Sequence, residues 1–153
     1  MKLSTSIPIK ANSAQVWDII SDIEHSVDNI SAIEKIEVLE KPSSGLVGLK
    51  WVETRKMFGK TATETMWITE AEQNKYYRTR AESHGSIYRS NLSIKEEAGG
   101  CVLEMGFDAE PQNFGAKLMS GVFGFMLKGS MKKALKKDLE DIKRLAESKA
   151  GNN

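Results

Sequence analysis

Glu53 and Arg55 stand two residues apart, and Trp51 and Met57 occupy the same alternate positions. On a strand, residues two apart share a face. If that face is interior, a carboxylate and a guanidinium lie inside an apolar cup. Buried charges need partners, and such a pair suits recognition of a polar ligand group or acid–base chemistry. The opposite positions, Lys50, Val52, Thr54, Lys56 and Phe58, are no less polar, so alternation alone leaves the two faces undecided. Tyr88 adds a phenol, and Glu53, Arg55 and Tyr88 form the candidate catalytic set. His25 and His84 fall near a short helix and in a turn, where solvated histidines are the ordinary reading. One cysteine and two separated histidines give no metal-ligand spacing. There is no phosphate-binding glycine loop, no dinucleotide fingerprint and no nucleophile elbow, so no cofactor and no metal are expected.

A second set of residues could hold an apolar ligand. Trp51, Tyr77, Tyr88, Met105 and Phe107 lie on strand-like segments with a common interior face. Met119, Phe123 and Met126 lie at helical spacing in the most apolar stretch, which also carries Gly115, Gly121, Gly124 and Gly129. Methionine adapts to varied ligand shapes, and phenol hydroxyls can orient one polar group. Glycine, at about 1 kcal/mol each in a helix interior, is a costly way to fill a solid core. Plain core packing competes with this reading, most strongly at Trp17, which suits a core anchor. A lid touching membranes is a third reading, favoured by Lys117, Lys128 and the basic stretch beyond. The face of Trp67 is undecided.

The elements that must position these residues follow from periodicity. Residues 3–9 alternate loosely as a first strand, and Pro8 marks an edge or an end. Asn12 and Gln15 form a capping-box pair ahead of a helix over 13–21, and a second short helix falls within 24–30. From Ile33 the period becomes two. Further strands are expected near 48–58, 60–72, 75–83, 86–96 and 101–110, broken by Gly- or Asn-bearing turns. In the segment from Tyr76, the set Tyr77, Thr79, Ala81 and Ser83 is assigned to the interior. The rest is one long helix, which Pro111 could start. Its glycines make a bend or an irregular first turn expected in the first half. An antiparallel meander with one solvated face needs a cover, and only this helix is large enough. The fold class is therefore α+β: a curved antiparallel sheet of six to seven strands gripping a long C-terminal helix, with two short helices after the first strand.

At 153 residues the chain suits one domain over 1–153, with 149–153 as a frayed tail. The composition, 40% hydrophobic and 28% charged, disfavours disorder and coiled coil. Charge is uneven. Residues 1–40 hold three basic and seven acidic groups, net −4, whereas residues 111–153 hold nine and four, net +5. Acidic residues punctuate the basic run Lys132, Lys133, Lys136, Lys137, Lys143 and Arg144, so a solvated helix face is the default and nucleic-acid binding is not expected. The single Cys101 and the absence of an early apolar run fit a cytoplasmic protein, although a secreted chain without disulfides fits as well. The apolar stretch 118–127 rises about 15 Å, too short to span a bilayer.

The run Ile9-Lys10-Ala11-Asn12-Ser13-Ala14-Gln15-Val16-Trp17-Asp18-Ile19-Ile20-Ser21-Asp22 is followed by Ile36-Glu37-Val38-Leu39, Gly45-Leu46-Val47-Gly48 and the strand around Gly59–Glu70. With the leucine-bearing final helix, these pieces resemble the START-like, or SRPBCC, superfamily in its polyketide cyclase/dehydrase-type branch, over essentially the whole chain. Members often carry a proline and a tryptophan after the Ser-Asp pair; here 23–33 has neither. The resemblance implies a helix-grip fold with a deep cavity between sheet and helix. It implies functions ranging from lipid, sterol or hormone carriage to polyketide cyclases and dehydratases. Fold does not choose among these. The leading expectation is a binding module for a hydrophobic or amphipathic small molecule. A polyketide cyclase or dehydratase and a membrane- or protein-contacting accessory domain are the alternatives. Oligomeric state is left open.

Overall fold

The computed structural model describes residues 2–151, and for 118–127 the main chain only. Strand β1 (Lys2–Ile9) leads into helix α1 (Ser13–Ile20), a 3-10 turn (Ile23–His25) and the short helix α2 (Ser26–Asn29). Six strands follow: β2 (Ile33–Glu40), β3 (Lys50–Met57), β4 (Lys60–Glu72), β5 (Tyr76–Ser83), β6 (Ser86–Glu97) and β7 (Gly100–Pro111). Helix α3 (Phe114–Gly151) ends the described chain.

All strand pairs are antiparallel, in the order β1-β7-β6-β5-β4-β3-β2. From β2 on, consecutive strands pair, β2 and β3 through the longer connection 41–49 and the others through short turns, and β1 lies on the far side of β7. Pro8 therefore lies on an edge strand, where its missing N–H costs no inner ladder bond. At Phe58-Gly59 and His84-Gly85 both central residues have positive φ, the backbone of a mirror-image hairpin turn.

Helix α1 starts as the capping-box residues require. Asn12 Oδ1 accepts from the Gln15 N–H at 2.8 Å, and Gln15 Oε1 accepts from the Asn12 N–H at 3.0 Å. The start of α3 differs from expectation. Pro111 closes β7 opposite Ser86, and Asn113 caps the helix, its Oδ1 accepting from the Ala116 N–H at 2.8 Å. A side-chain acceptor satisfies an orphan helical N–H, which proline cannot do. From there α3 runs on as one helix, with no break in its secondary structure at the glycines.

Met131, Leu135, Leu139, Ile142 and Ala146 form the buried stripe of α3, and Leu139 and Ala146 are wholly enclosed. They join Ile7, Ile9, Val16, Trp17, Ile20, Leu103 and others in one core cluster. Part of the basic run binds the sheet edge: Lys136 and Lys143 each donate a 2.7 Å hydrogen bond to β1, to the carbonyls of Ser6 and Pro8. Their alkyl stems cover β1 while their charges meet its carbonyls. Among the described residues, no helix is long and apolar enough to cross a membrane.

Candidate functional site

Strand alternation puts Trp51, Glu53, Arg55 and Met57 on one face of β3, and the register sets Ile33, Ile36 and Val38 of β2 beside them. That face is the inner one. The Glu53 and Arg55 side chains are only 12% and 14% exposed. The outer face carries Lys50, whose ammonium lies 5.8 Å from the ring centre of Trp67 on β4, which settles the face of Trp67.

Arg55 is held from two sides. Its Nε donates to Glu53 Oε2 at 3.0 Å, and Nη2 donates to Asp138 Oδ2 at 2.9 Å across to α3. Trp51 Nε1 approaches Glu53 Oε1 at 3.4 Å. Opposite Glu53, β4 presents Glu64, whose Oε1 accepts from the Ser83 hydroxyl at 2.7 Å. Asp138 and Glu64 are absent from the residues that sequence reasoning selected. A signal for Asp138 exists: it falls three residues after Leu135 and four before Ile142, inside the apolar stripe. A charge there must find a buried partner or distort the helix packing.

The cluster carries two carboxylates against one guanidinium. Asp138 Oδ1 is buried and has no hydrogen-bond partner among the described residues. Burial pushes the Asp138 carboxyl above its usual range, more than Arg55 pulls it down. Burial acts against the Arg55 charge, yet Asp138 and Glu53 together hold the guanidinium above its ordinary value. Burial also pushes the Tyr77 hydroxyl far up, and the charges of Glu53 and Asp138 push the same way. One turn along the helix, Asp141 behaves oppositely. Burial raises it, but hydrogen bonds from Lys137 and from the Ser31 N–H and hydroxyl outweigh that and hold it low.

These two aspartates should give stability contributions of opposite pH dependence. Asp138 binds its proton more tightly folded than unfolded, so its contribution is largest in acid. It is lost as pH rises from the ordinary carboxylate range through the raised folded value. The contribution of Asp141 is present above the ordinary range and lost as pH falls through its depressed folded value. Unfolding by denaturant along a pH series should show Asp141→Asn flattening the acid limb of the wild-type profile. Asp138→Asn should instead remove a stability decline above the carboxylate range. Superimposable profiles would contradict both assignments.

The ligand candidates divide in two. Trp51, Tyr77 and Met105 are packed core residues, 3%, 7% and 8% exposed, and the Tyr77 ring meets Trp17 edge-on at 6.3 Å. Tyr88 and Phe107 are partly exposed and stack at 6.0 Å between ring centres. The side chains of Met119, Phe123 and Met126 lie outside the described residues. Tyr88 sits on β6, three strands from Glu53, so the structure does not bring the three candidate catalytic residues together. Beside Phe107 on the inner face, the Thr79 and Ser90 hydroxyls hydrogen-bond to each other across β5 and β6. An open hollow of about 970 Å³ adjoins them. On the inner face it is bounded by Leu3, Thr79, Ser90 and Phe107 and by Lys128 and Lys132 of α3, and it extends as far over outer-face residues, among them Thr69, Arg78, Arg80, Arg89, Asn91 and Asp108. The volume lies near the upper end of small-molecule sites.

Such an arrangement can surround a flat or elongated apolar group and offer it two hydroxyls. The charged cluster faces the same interior; each carboxylate gives one oxygen to Arg55, which commits the guanidinium to the cluster, while Asp138 keeps one oxygen unpartnered among the described residues.

Comparison with known proteins agrees with this architecture. The family model described as polyketide cyclase/dehydrase and lipid transport matches residues 1–147. A crystal structure of a Thermus thermophilus protein superposes with a TM-score of 0.80 at 12% identity, covering 98% of this chain and 99% of that one. The Zhui aromatase/cyclase from Streptomyces sp. R1128 gives 0.77 at 16% identity, over 96% and 93%. A START superfamily protein from Mycobacterium smegmatis gives 0.71 at 16%, over 99% and 97%. At these identities the likeness concerns the fold, a START-like helix grip. No curated protein sequence matches the chain.

Proposed function

The chain belongs to the polyketide cyclase/dehydrase and lipid transport family, and from that premise we propose that it binds one hydrophobic or amphipathic small molecule between its sheet and α3. The observation that supports this reading is the hollow beside Phe107 and Leu3, with the Thr79 and Ser90 hydroxyls in its wall. Binding is driven by burial, at roughly 25 cal/mol for each Å² of apolar surface withdrawn from water. Phe107 and its stacking partner Tyr88 provide the flat contact, and the hydroxyl pair orients a polar group of the ligand.

A catalytic reading has one observation in its favour. Glu53 and Arg55 are interior, and the reading of a cyclase or dehydratase of a polyketide-like substrate would lose its main support if they faced solvent. Arg55 is held by both Glu53 and Asp138, and a guanidinium committed in this way favours binding over turnover.

Titration with an environment-sensitive aromatic or fatty probe, alongside native mass spectrometry of freshly purified protein, tests the proposal. Saturable one-to-one binding is expected. Phe107→Ala should weaken it by about tenfold or more, since losing the burial of one aromatic side chain is worth roughly 1.5–3 kcal/mol. Absence of saturable binding across a varied probe panel would overturn it.

A further inference from the structure

Phe58 and Phe114, 50% and 81% exposed, are the aromatic members of an exposed hydrophobic set that also holds Val27, Leu39 and Val47. The register brings both to one end of the molecule. Met57 pairs with Lys60, so the β3–β4 hairpin turns at Phe58-Gly59. Ser83 pairs with Ser86 and Ser86 with Pro111, so the β5–β6 tip, the end of β7 and the start of α3 meet at that same end. The Gln112 N–H donates to the Gly85 carbonyl at 2.7 Å and ties α3's approach to that tip. Leu3 and Phe107, which bound the hollow, pair with each other towards this end.

Phe58 has a φ of 55°, a backbone conformation that costs a bulky side chain and that glycine adopts freely. The local backbone therefore does not call for an aromatic here. The charges beside the two rings share one sign. Lys56 and Lys60 flank Phe58, Lys117 follows Phe114 by one helical turn, and all three are exposed. None of the three has an ion-pair partner among the described residues, whereas the nearby Glu82 and Glu110 are paired with Arg80 and Arg89.

We propose that this end docks on an anionic lipid bilayer, with Phe58 and Phe114 entering the interfacial layer and Lys56, Lys60 and Lys117 meeting lipid phosphates. The two rings are prongs on a hairpin tip and a helix start, not walls of a groove. Prongs need a soft apolar phase to enter, and the unpaired lysines specify its charge. The proposal rests on the ligand-binding reading, since docking here would let an apolar molecule pass between bilayer and hollow without crossing water.

Co-sedimentation with vesicles of phosphatidylcholine, alone or mixed with phosphatidylglycerol, tests it. The protein should sediment with the mixed vesicles, and added salt should release it. Phe58→Gly and Phe114→Ser should each lower the partition coefficient by roughly tenfold, the effect of losing one buried aromatic side chain. Phe58→Gly relieves the backbone, so its thermal midpoint should not fall, and a lost interaction cannot be assigned to misfolding. Lys56→Gln with Lys60→Gln should weaken binding to the mixed vesicles alone. Absence of sedimentation, equal binding to neutral vesicles, or full binding by both phenylalanine variants would overturn the proposal. Probe titration of Phe58→Gly in solution separates the two readings. Intact probe binding without vesicle binding in the wild type defeats docking alone, whereas vesicle binding without probe binding defeats the ligand reading alone.

Discussion

Replacing Arg55 with methionine should lower the free energy of unfolding at neutral pH by about 3–5 kcal/mol. The guanidinium is the one positive group that Glu53 and Asp138 share, and the Asp138 side chain is only 3% exposed. Without it two carboxylates remain in the interior with no cation. Desolvation then opposes ionisation of both, and their mutual repulsion adds to the cost. The variant should recover part of its loss in acid. The Asp138 carboxyl, already held above its ordinary range by burial, loses the cation that pulls it down, so the folded state gains a proton and relative stability as pH falls through its raised folded value. Denaturant midpoints at neutral and acid pH measure the effect. A double variant, Arg55→Met with Asp138→Leu, should be more stable than Arg55→Met alone, because it removes one stranded charge. A neutral-pH midpoint unchanged in Arg55→Met would mean that the cluster is solvated, contrary to its geometry.

Trp51→Ala should destabilise the protein by a comparable amount, about 3–5 kcal/mol, the usual cost of truncating a buried aromatic residue. Trp51 is 3% exposed and lies between Val38 of β2 and Met66 of β4. Its indole N–H also reaches Glu53. If its main role were ligand contact, truncation would weaken binding and leave unfolding nearly unchanged. Chemical denaturation of the ligand-free protein distinguishes the two, and Trp51→Phe, which keeps most of the apolar volume, should retain much of the stability. Phe107→Ala should show the reverse balance, with binding weakened more than folding, because its ring borders open space.

The order of elements was legible from local pattern. Of the set that alternation assigns to the interior, Tyr77, Thr79 and Ala81 are buried, at 7%, 8% and 6% exposed, and Ser83, at the hairpin end, is half-buried. The Asn12–Gln15 pair correctly marked the start of α1. Pro8 correctly pointed to a sheet edge. The start of α3 was misread because proline is merely permitted at a first helical position, whereas Asn113 supplies an acceptor. The charged cluster was half legible. Glu53 and Arg55 were visible as a pair, but β3 is nearly as polar on one side as on the other, so alternation defines two faces without saying which is inner.

Chain chemistry by itself therefore determined which residues lie together on each strand and along the helix stripe, because those relations repeat every two residues or every turn. Tertiary structure alone decided that Glu53 and Arg55 turn inward, and that Asp138, 83 residues beyond Arg55, completes their cluster. A partner so far along the chain leaves no periodic trace. It is chosen when the long helix closes over the sheet and a buried guanidinium must find enough negative charge.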